Sequence, residues 1–173
     1  ATAATNNDYD NNGVFVQGDS LAVKLTQAGT LPDVLDASNV KISSIKRLRL
    51  QGPINSVDIS MFSQADPEFS DLQTIDLSDA HGGSGGESSI SVDYYLSPKD
   101  TVKFVREVSG GMFAYSCRYY DCFDMSLSGA FMEQSKTLQK LYLPSNQKSL
   151  GYQMASDCEL LSVVTCSPNI KEV

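Results

Sequence analysis

The residues whose types could carry metal or redox chemistry are one histidine and four cysteines. Cys117, Cys122, Cys158 and Cys166 form no C-x-x-C pair, and His81 is the only histidine. Structural zinc takes four nitrogen or sulfur ligands, normally from tightly spaced pairs, so this spacing favours buried thiols over a zinc site. If the protein is exported, a disulfide is the open alternative.

Catalysis would need a base or nucleophile held in place by a partner. His81 precedes the run Gly82–Gly86, and a flexible glycine run is a poor frame for catalytic geometry. The same run is not followed by the lysine and helix of a phosphate loop. Acidic residues such as Asp76 and Asp79 are expected in an acidic chain and form no recognisable catalytic pair. We therefore predict no enzyme activity and no cofactor.

An acidic N-terminal segment resembles a calcium-binding loop. Asp8, Asp10, Asn12 and Gly13 alternate as oxygen ligands do around a glycine turn, and Asp19 stands at the closing position. That position normally holds Glu, and no helical pattern precedes the segment. We interpret residues 1–20 as a flexible Asn/Asp-rich tether and predict no metal site.

Composition limits the partners and the number of domains. Thirteen Lys and Arg against 21 Asp and Glu give a net charge of -8, which argues against nucleic-acid binding. No apolar run is long enough to span a membrane. With 41% hydrophobic residues, the chain can bury a core, and we predict a single domain over residues 21–173.

Apolar periodicity places short strands and helices along this domain. We expect strands at Leu21–Leu25, Ile45–Leu50 and Leu72–Leu77, the second closed by a turn at Gly52–Pro53. A capping box beginning at Thr30 predicts a short helix with an apolar face of Leu31, Val34 and Leu35. Asn55 is expected to cap a second helix that buries Ile59 and Phe62.

The strands share the pattern L-x-x-L-x-L with interchangeable aliphatic residues. Copies start at 45, 72, 138 and 161, and a degraded copy starts at 120. The intervals are 27, 48, 18 and 23 residues, against 20–29 for leucine-rich repeats. An apolar residue seven positions before the last three starts, followed by a small residue four later, keeps the same register: Phe113 and Cys117, Phe131 and Ser135, Met154 and Cys158. A Gly/Ser-rich loop near 80–101 interrupts the array, and residues 167–173 look like the start of another turn.

The segments Phe131-x-x-x-Ser135-x-x-Leu138-x-x-Leu141-x-Leu143-Pro144 and Met154-x-x-x-Cys158-x-x-Leu161 resemble the BspA-like leucine-rich repeat of Bacteroides surface proteins. The resemblance implies an α/β fold, a right-handed solenoid with a short-stranded parallel sheet on its concave face. It also implies export to the cell surface, often as an outer-membrane lipoprotein anchored through an N-terminal segment that has been removed. The implied role is adhesion to a host protein or glycan.

The candidate binding residues flank the inward-pointing apolar residues of each strand and so face out of the sheet. They are Arg47, Arg49, Thr74, Asp76, Asp124, Lys140, Tyr142 and Thr165, with Cys122 and Val163 in equivalent positions. Tyr94 and Tyr95, on the inserted loop, are candidate exposed contact residues. We predict a non-catalytic binding module for a protein or glycan; the alternative is a structural spacer or stalk of a larger cell-envelope protein.

Overall fold

The structure is an α/β arrangement built on a mixed six-stranded sheet. The computed structural model describes residues 5, 8–54, 58, 60–62, 69–82, 104–106, 115–117, 135–145, 155, 157–166 and 168. In chain order the strands are β1 Val14–Gln17, β2 Ser20–Lys24, β3 Arg47–Ile54, β4 Thr74–Gly82, β5 Phe104–Arg106, β6 Tyr115–Cys117, β7 Lys140–Tyr142 and β8 Val163–Thr165. The large sheet has the order β1-β2-β3-β4-β7-β8, while β5 and β6 form a separate antiparallel pair.

Strands β2, β3, β4, β7 and β8 run parallel and align on equivalent positions of the apolar pattern. Leu21 pairs with Leu48, Leu48 with Ile75, Ile75 with Leu141, and Leu141 with Val164. The strands expected at 21–25, 45–50 and 72–77 are confirmed with shifted ends. The expectation of a wholly parallel sheet is wrong for β1, which pairs antiparallel with β2.

The core lies on one side of the sheet because the strands alternate apolar and polar residues. Leu48, Leu50, Ile75 and Leu77 are at most 1% exposed, and the residues between them point to the other side. Helix α1, Leu31–Ala37, and the 3₁₀ turns Ile42–Ser44 and Ser60–Phe62 accompany the sheet on this side. They add apolar side chains to the same cluster, namely Leu31, Leu35, Met61 and Phe62, with Val34 and Ile42 at its margin.

Helix α1 confirms the predicted helix but not its cap. The Thr30 hydroxyl donates to the Gln27 carbonyl at 2.7 Å and caps no helical N–H group. The fully buried carboxylate of Asp58 caps the helix instead. It accepts from the N–H of Leu31, the first helical residue, at 2.9 Å, and from the N–H of Gly29 just before the helix at 2.7 Å. A charge-assisted acceptor from a distant segment has displaced the local one.

The prediction of a flexible tether over residues 1–20 is wrong for the part that forms β1. Val14 is buried in the core, and β1 joins β2 through a two-residue turn. The carboxylate of Asp10 accepts from the Asn12 and Val14 N–H groups at 2.8 and 2.9 Å, which closes the loop before the strand. The Asn/Asp-rich composition therefore reflects a turn that hydrogen-bonds its own backbone rather than a solvated tether.

The predicted turn at Gly52–Pro53 is also wrong, since β3 continues through both residues to Ile54. Gly52 has φ of +91°, a left-handed conformation that lets the strand pass close to the Leu25 carbonyl. Glycine commonly indicates a turn, but Gly52 instead allows two strands to approach closely.

Several expectations concern residues outside the described part of the chain. These are the Asn55 cap, Ile59, the repeat copy at 120–125, and the inserted loop beyond Gly82. Ala80–Gly82, assigned to the loop from the sequence, form the end of β4. Strand β4 pairs directly with β7.

Candidate functional site

The open face of the sheet, the side opposite the core, carries two rows of side chains that run across the strands. The Cα register places the first row at Ser20, Arg47, Thr74, Lys140 and Val163. It places the second row at Ala22, Arg49, Asp76, Tyr142 and Thr165. Neighbouring strands lie about 4.8 Å apart, so adjacent members of a row are close enough to contact one ligand together.

Seven of the eight predicted binding residues lie in these two rows. Asp124 and Cys122 lie outside the described residues, as do Tyr94 and Tyr95. Shared placement on one face is observed for the other seven, whereas their role in binding stays a prediction. The rows form because each strand turns the residues flanking its central aliphatic to the same side.

Arg47 is held at the edge of the first row by the loop that precedes β2. Its guanidinium forms an ion pair with the Asp19 carboxylate, and its Nε–H donates to the Ser20 hydroxyl at 2.9 Å. Both charged side chains are partly exposed, so the pair orients Arg47 more than it stabilises the fold.

Arg49 lies at the centre of a second charge cluster. Its guanidinium pairs with Asp79, and its Nε lies 3.9 Å from Oδ2 of Asp76. The hydrogen bond to Asp79, opposed by burial and aided by the charges of both carboxylates, raises the pKa of Arg49. Its Nε–H is buried and has no hydrogen-bond partner among the described residues. Arg49 is therefore fixed over the sheet with its charge largely neutralised.

A register shift explains how two carboxylates reach one arginine. Between Arg49 and Gln51 the pairing of β3 with β4 slips, so that Gln51 lies opposite Asp79. Asp76 turns within its own strand, where Oδ1 accepts from the Ser78 N–H at 3.0 Å and from the Ser78 hydroxyl at 2.6 Å. The irregularity re-aims side chains at this point of the face, as bulges commonly do.

Two aromatic residues that the sequence reasoning did not single out as site residues lie at the β1 end of the face. Phe15 pairs with Ala22, and the Tyr9 and Phe15 ring centroids are 6.1 Å apart. The Lys24 ammonium lies 4.2 Å from the Tyr9 centroid, within the range of a cation–π contact. Burial raises the pKa of Tyr9, and the charge of Arg49 opposes that effect. The consecutive strand-favouring residues Val14, Phe15 and Val16 were the available sequence signal.

The β7–β8 end of the face is chemically different. Lys140 is exposed and forms no ion pair within the described part of the chain. Tyr142 is half-buried in the second row, and Thr165 is exposed beside it on β8. A cation, a phenol and a hydroxyl thus lie within two strand spacings of one another, ready to contact an external group.

The acidic segment resembling a calcium loop uses its oxygens on protein donors. Asp8 accepts from the N–H and hydroxyl of Thr5 at 2.6 and 2.7 Å, which lowers the pKa of Asp8. Asp10 accepts from Ser38 at 2.7 Å as well as from its own loop; burial raises the pKa of Asp10, but the hydrogen bonds together lower it. Within the described residues no three His, Cys, Asp or Glu side chains converge as metal ligands.

The remaining reactive groups are dispersed. Cys166 is exposed, and Cys158 is half-buried rather than fully buried as predicted; neither forms a disulfide within the described residues. Burial raises the pKa of the Cys158 thiol. The side chain of Cys117 lies outside the described part, while His81 is exposed on β4 opposite Pro53.

An open pocket of about 270 Å³ lies on the other side of the sheet, beside α1. Its lining combines apolar side chains, such as Leu35, Ile42 and Met61, with the polar side chains of Asp36, Asn39 and Lys41. These residues come from the helix, the segment that follows it and the 3₁₀ turn Ser60–Phe62. The pocket contains no histidine or cysteine. The open face is the better candidate site because ion-paired side chains from several strands lie together on it.

Comparison with known proteins identifies no relative. No protein-family model matches the chain, and neither the curated proteins nor the solved structures give a significant match. Among the described residues, no helix is long and apolar enough to cross a membrane.

Proposed function

We propose that this chain is a non-catalytic binding module of a secreted or cell-surface protein, and that it recognises a protein or glycan through the open face of its sheet. The observation that carries the proposal is the pair of cross-strand rows, in which polar and charged side chains from neighbouring strands lie in register on one surface. Binding surfaces commonly combine an aromatic anchor with a polar rim, and Tyr142 beside Lys140 offers that combination.

We further propose that the sheet belongs to a leucine-rich-repeat solenoid of the BspA-like type. A recurring backbone hydrogen bond before each parallel strand supports this architecture. The N–H group of Lys46 donates to the Asp19 carbonyl, that of Gln73 to Lys46 and that of Gln139 to Gln73, each at 2.8 Å, and that of Ser162 donates to Gln139 at 2.9 Å. Stacked repeats form such ladders because each coil contacts only its neighbours. The surface location, of outer-membrane lipoprotein type, follows from the same resemblance.

The chemistry of Lys140 favours an external anionic or hydroxyl-rich group at its end of the face. Lys140 is exposed without an ion pair among the described residues, whereas Arg47 and Arg49 each have a carboxylate partner. An unpaired ammonium loses no internal contact when it binds a ligand. Tyr142, in the adjacent row, can then pack its ring against the ligand while its hydroxyl hydrogen-bonds.

The test is binding of the purified chain to an array of extracellular-matrix proteins and glycans. We expect a saturable hit that Lys140→Ala and Tyr142→Ala each weaken by about tenfold, the loss typical of an interface anchor. Lys41→Ala is the matched control because Lys41 is an exposed lysine on the opposite side of the sheet. A hit weakened equally by all three variants would contradict the use of the open face.

The second candidate is a structural spacer, and the internal ion pairs of the face favour it. Arg47 with Asp19, and Arg49 with Asp76 and Asp79, satisfy their charges without any ligand. A surface that is neutralised internally is also what a solvated spacer needs. If every array spot is blank at near-millimolar chain concentration, the spacer becomes the better proposal.

A further inference from the structure

The apolar row at the centre of the sheet opens to solvent at both ends. This central row consists, strand by strand, of Val16, Leu21, Leu48, Ile75, Leu141 and Val164. Its four inner members are at most 2% exposed, whereas Val16 is 46% and Val164 45% exposed. Apart from Leu160, which precedes β8, these are the large apolar side chains that the described part of the molecule leaves exposed.

The backbone of β8 presents unused hydrogen-bonding groups at the same position. The Val163 N–H donates to Gln139 on the β7 side, and the Thr165 carbonyl accepts from the Leu143 N–H. Because successive peptide groups of a strand point to alternate sides, the N–H and C=O of Val164 point away from β7. They form no hydrogen bond within the described residues.

The opposite edge of the sheet, at β1, has the same arrangement. Lys24 donates its N–H to the Gly13 carbonyl, which fixes the phase of the β1–β2 ladder and directs the peptide groups of Val14 and Val16 outward. The outward peptide groups of Val14 already have a partner in Asp10. The Asp10 N–H donates to the Val14 carbonyl at 2.8 Å, and the Asp10 carboxylate accepts from the Val14 N–H at 2.9 Å. Val16 is left as the open position of this edge.

We propose that copies of this chain associate head to tail, with β8 of one copy pairing antiparallel with β1 of the next. Val164 then lies opposite Val16, and the two residues exchange both backbone hydrogen bonds. Strand β8 runs parallel to β2, and β1 runs antiparallel to β2, so the pairing keeps strand direction and the open face continuous between copies. The contact extends an interface that the chain already forms between each pair of its own strands.

Head-to-tail pairing is favoured over pairing of like edges because it covers both open ends of the central row. A dimer through two copies of β8 would bury Val164 and leave Val16 exposed. A head-to-tail contact is heterologous, so it propagates into chains or rings rather than stopping at a dimer. The edge strands are only four and three residues long, so each contact is weak and assembly depends on concentration.

The test is sedimentation velocity of the full chain from roughly 10 μM to 1 mM, with Val16→Lys and Val164→Lys as edge variants. A lysine on an edge strand blocks pairing, so we expect the wild type to grow beyond a dimer and each variant alone to sediment as a monomer. A mixture of the two variants still holds one intact β8 and one intact β1, and it is expected to form a heterodimer and nothing larger.

The control is Ser70→Lys, which adds the same charge at an exposed residue before β4, away from both edges. It is expected to assemble as the wild type does. Each valine-to-lysine variant lowers the net negative charge of -8, so loss of assembly could not come from greater repulsion. Val16→Thr and Val164→Thr keep the β-branched shape and are expected to weaken assembly by about tenfold should a lysine variant fail to fold.

Two results would overturn the proposal. Dimers that persist in Val16→Lys and vanish in Val164→Lys would mean that β8 pairs with itself. A wild-type chain that stays monomeric over the whole concentration range would mean that neither edge is used for self-association.

Discussion

Replacing Gly52 by alanine tests how closely β2 and β3 approach where β2 ends. A Cβ atom at Gly52 would lie 2.1 Å from the Leu25 carbonyl oxygen and 3.2 Å from its carbonyl carbon. Next to it, the Leu25 N–H donates to the Gln51 carbonyl at 2.9 Å. The new methyl group would therefore meet backbone that is itself held in the ladder, and the two chains must separate.

We expect Gly52→Ala to lower the free energy of unfolding by about 3 kcal/mol. The φ of +91° costs an alanine about 1–2 kcal/mol. Separating the chains weakens the Leu25–Gln51 hydrogen bond, for about 1 kcal/mol more, and disturbs the packing below it. Gly18→Ala is the matched control, because Gly18 also has a left-handed φ of +61° but a Cβ there would meet nothing within 4 Å. It should lose only about 1 kcal/mol.

The assay is urea unfolding followed by circular dichroism and tyrosine fluorescence, since the chain has eight tyrosines and no tryptophan. Comparing midpoints at equal slopes isolates the change in stability. If Gly52→Ala were no more destabilising than Gly18→Ala, the close approach of β2 and β3 would not be a property of the folded chain. Strand β3 would then not continue through Gly52 beside Leu25 in the folded chain.

Three further predictions concern single side chains. Asp58→Ala should destabilise the chain by about 2–4 kcal/mol in the same urea assay, because it leaves two buried N–H groups without an acceptor, and Asp58→Asn should cost less. The pKa of Asp10 is lowered from 3.8 in the folded chain. The ionised Asp10 carboxylate therefore stabilises the fold above pH 3.8, and this stabilisation is lost as the pH falls through the folded pKa. Unfolding titrations from about pH 5 to pH 3 should show a smaller loss of stability in Asp10→Asn than in the wild type. In native protein, a thiol reagent should label exposed Cys166 at least about tenfold faster than Cys158, whose burial raises the pKa of its thiol; equal rates would contradict that difference.

The sequence predicted the rows of the open face because one short pattern specifies them. L-x-x-L-x-L places its last two aliphatic residues on one side of a strand, and burial of that side fixes the register between strands. Leu48, Ile75 and Leu141 therefore align, and the alignment carries Arg49, Asp76 and Tyr142 with it. A slip of one residue would expose the whole apolar set, so the register could be expected without coordinates.

Features that depend on distant partners could not be predicted from such local patterns. Thr30 has the spacing of a capping residue, yet the acceptor for the Leu31 N–H is the buried carboxylate of Asp58, which lies 27 residues beyond Leu31. The pairing of Arg49 with Asp79 requires the register shift between β3 and β4, and no residue type in the sequence predicts that shift. Strand β1 could not be recognised within the Asn/Asp-rich composition around it, because composition describes an average and the run of strand-favouring residues is only three residues long, in a strand of four.

The distribution of charge on the open face separates the two proposed functions. At the β2–β4 end, Arg47 and Arg49 already have carboxylate partners, so a ligand binding there would have to compete with Asp19 and Asp79. At the β7–β8 end, Lys140 has no such competitor among the described residues. A binding module should therefore lose more affinity on changing Lys140 than on changing either arginine, and added salt should weaken that contribution first. If the chain is a spacer, it has no ligand affinity, and the variants show no ranking. The ranking of the affinity losses of these variants therefore decides between the binding module and the spacer.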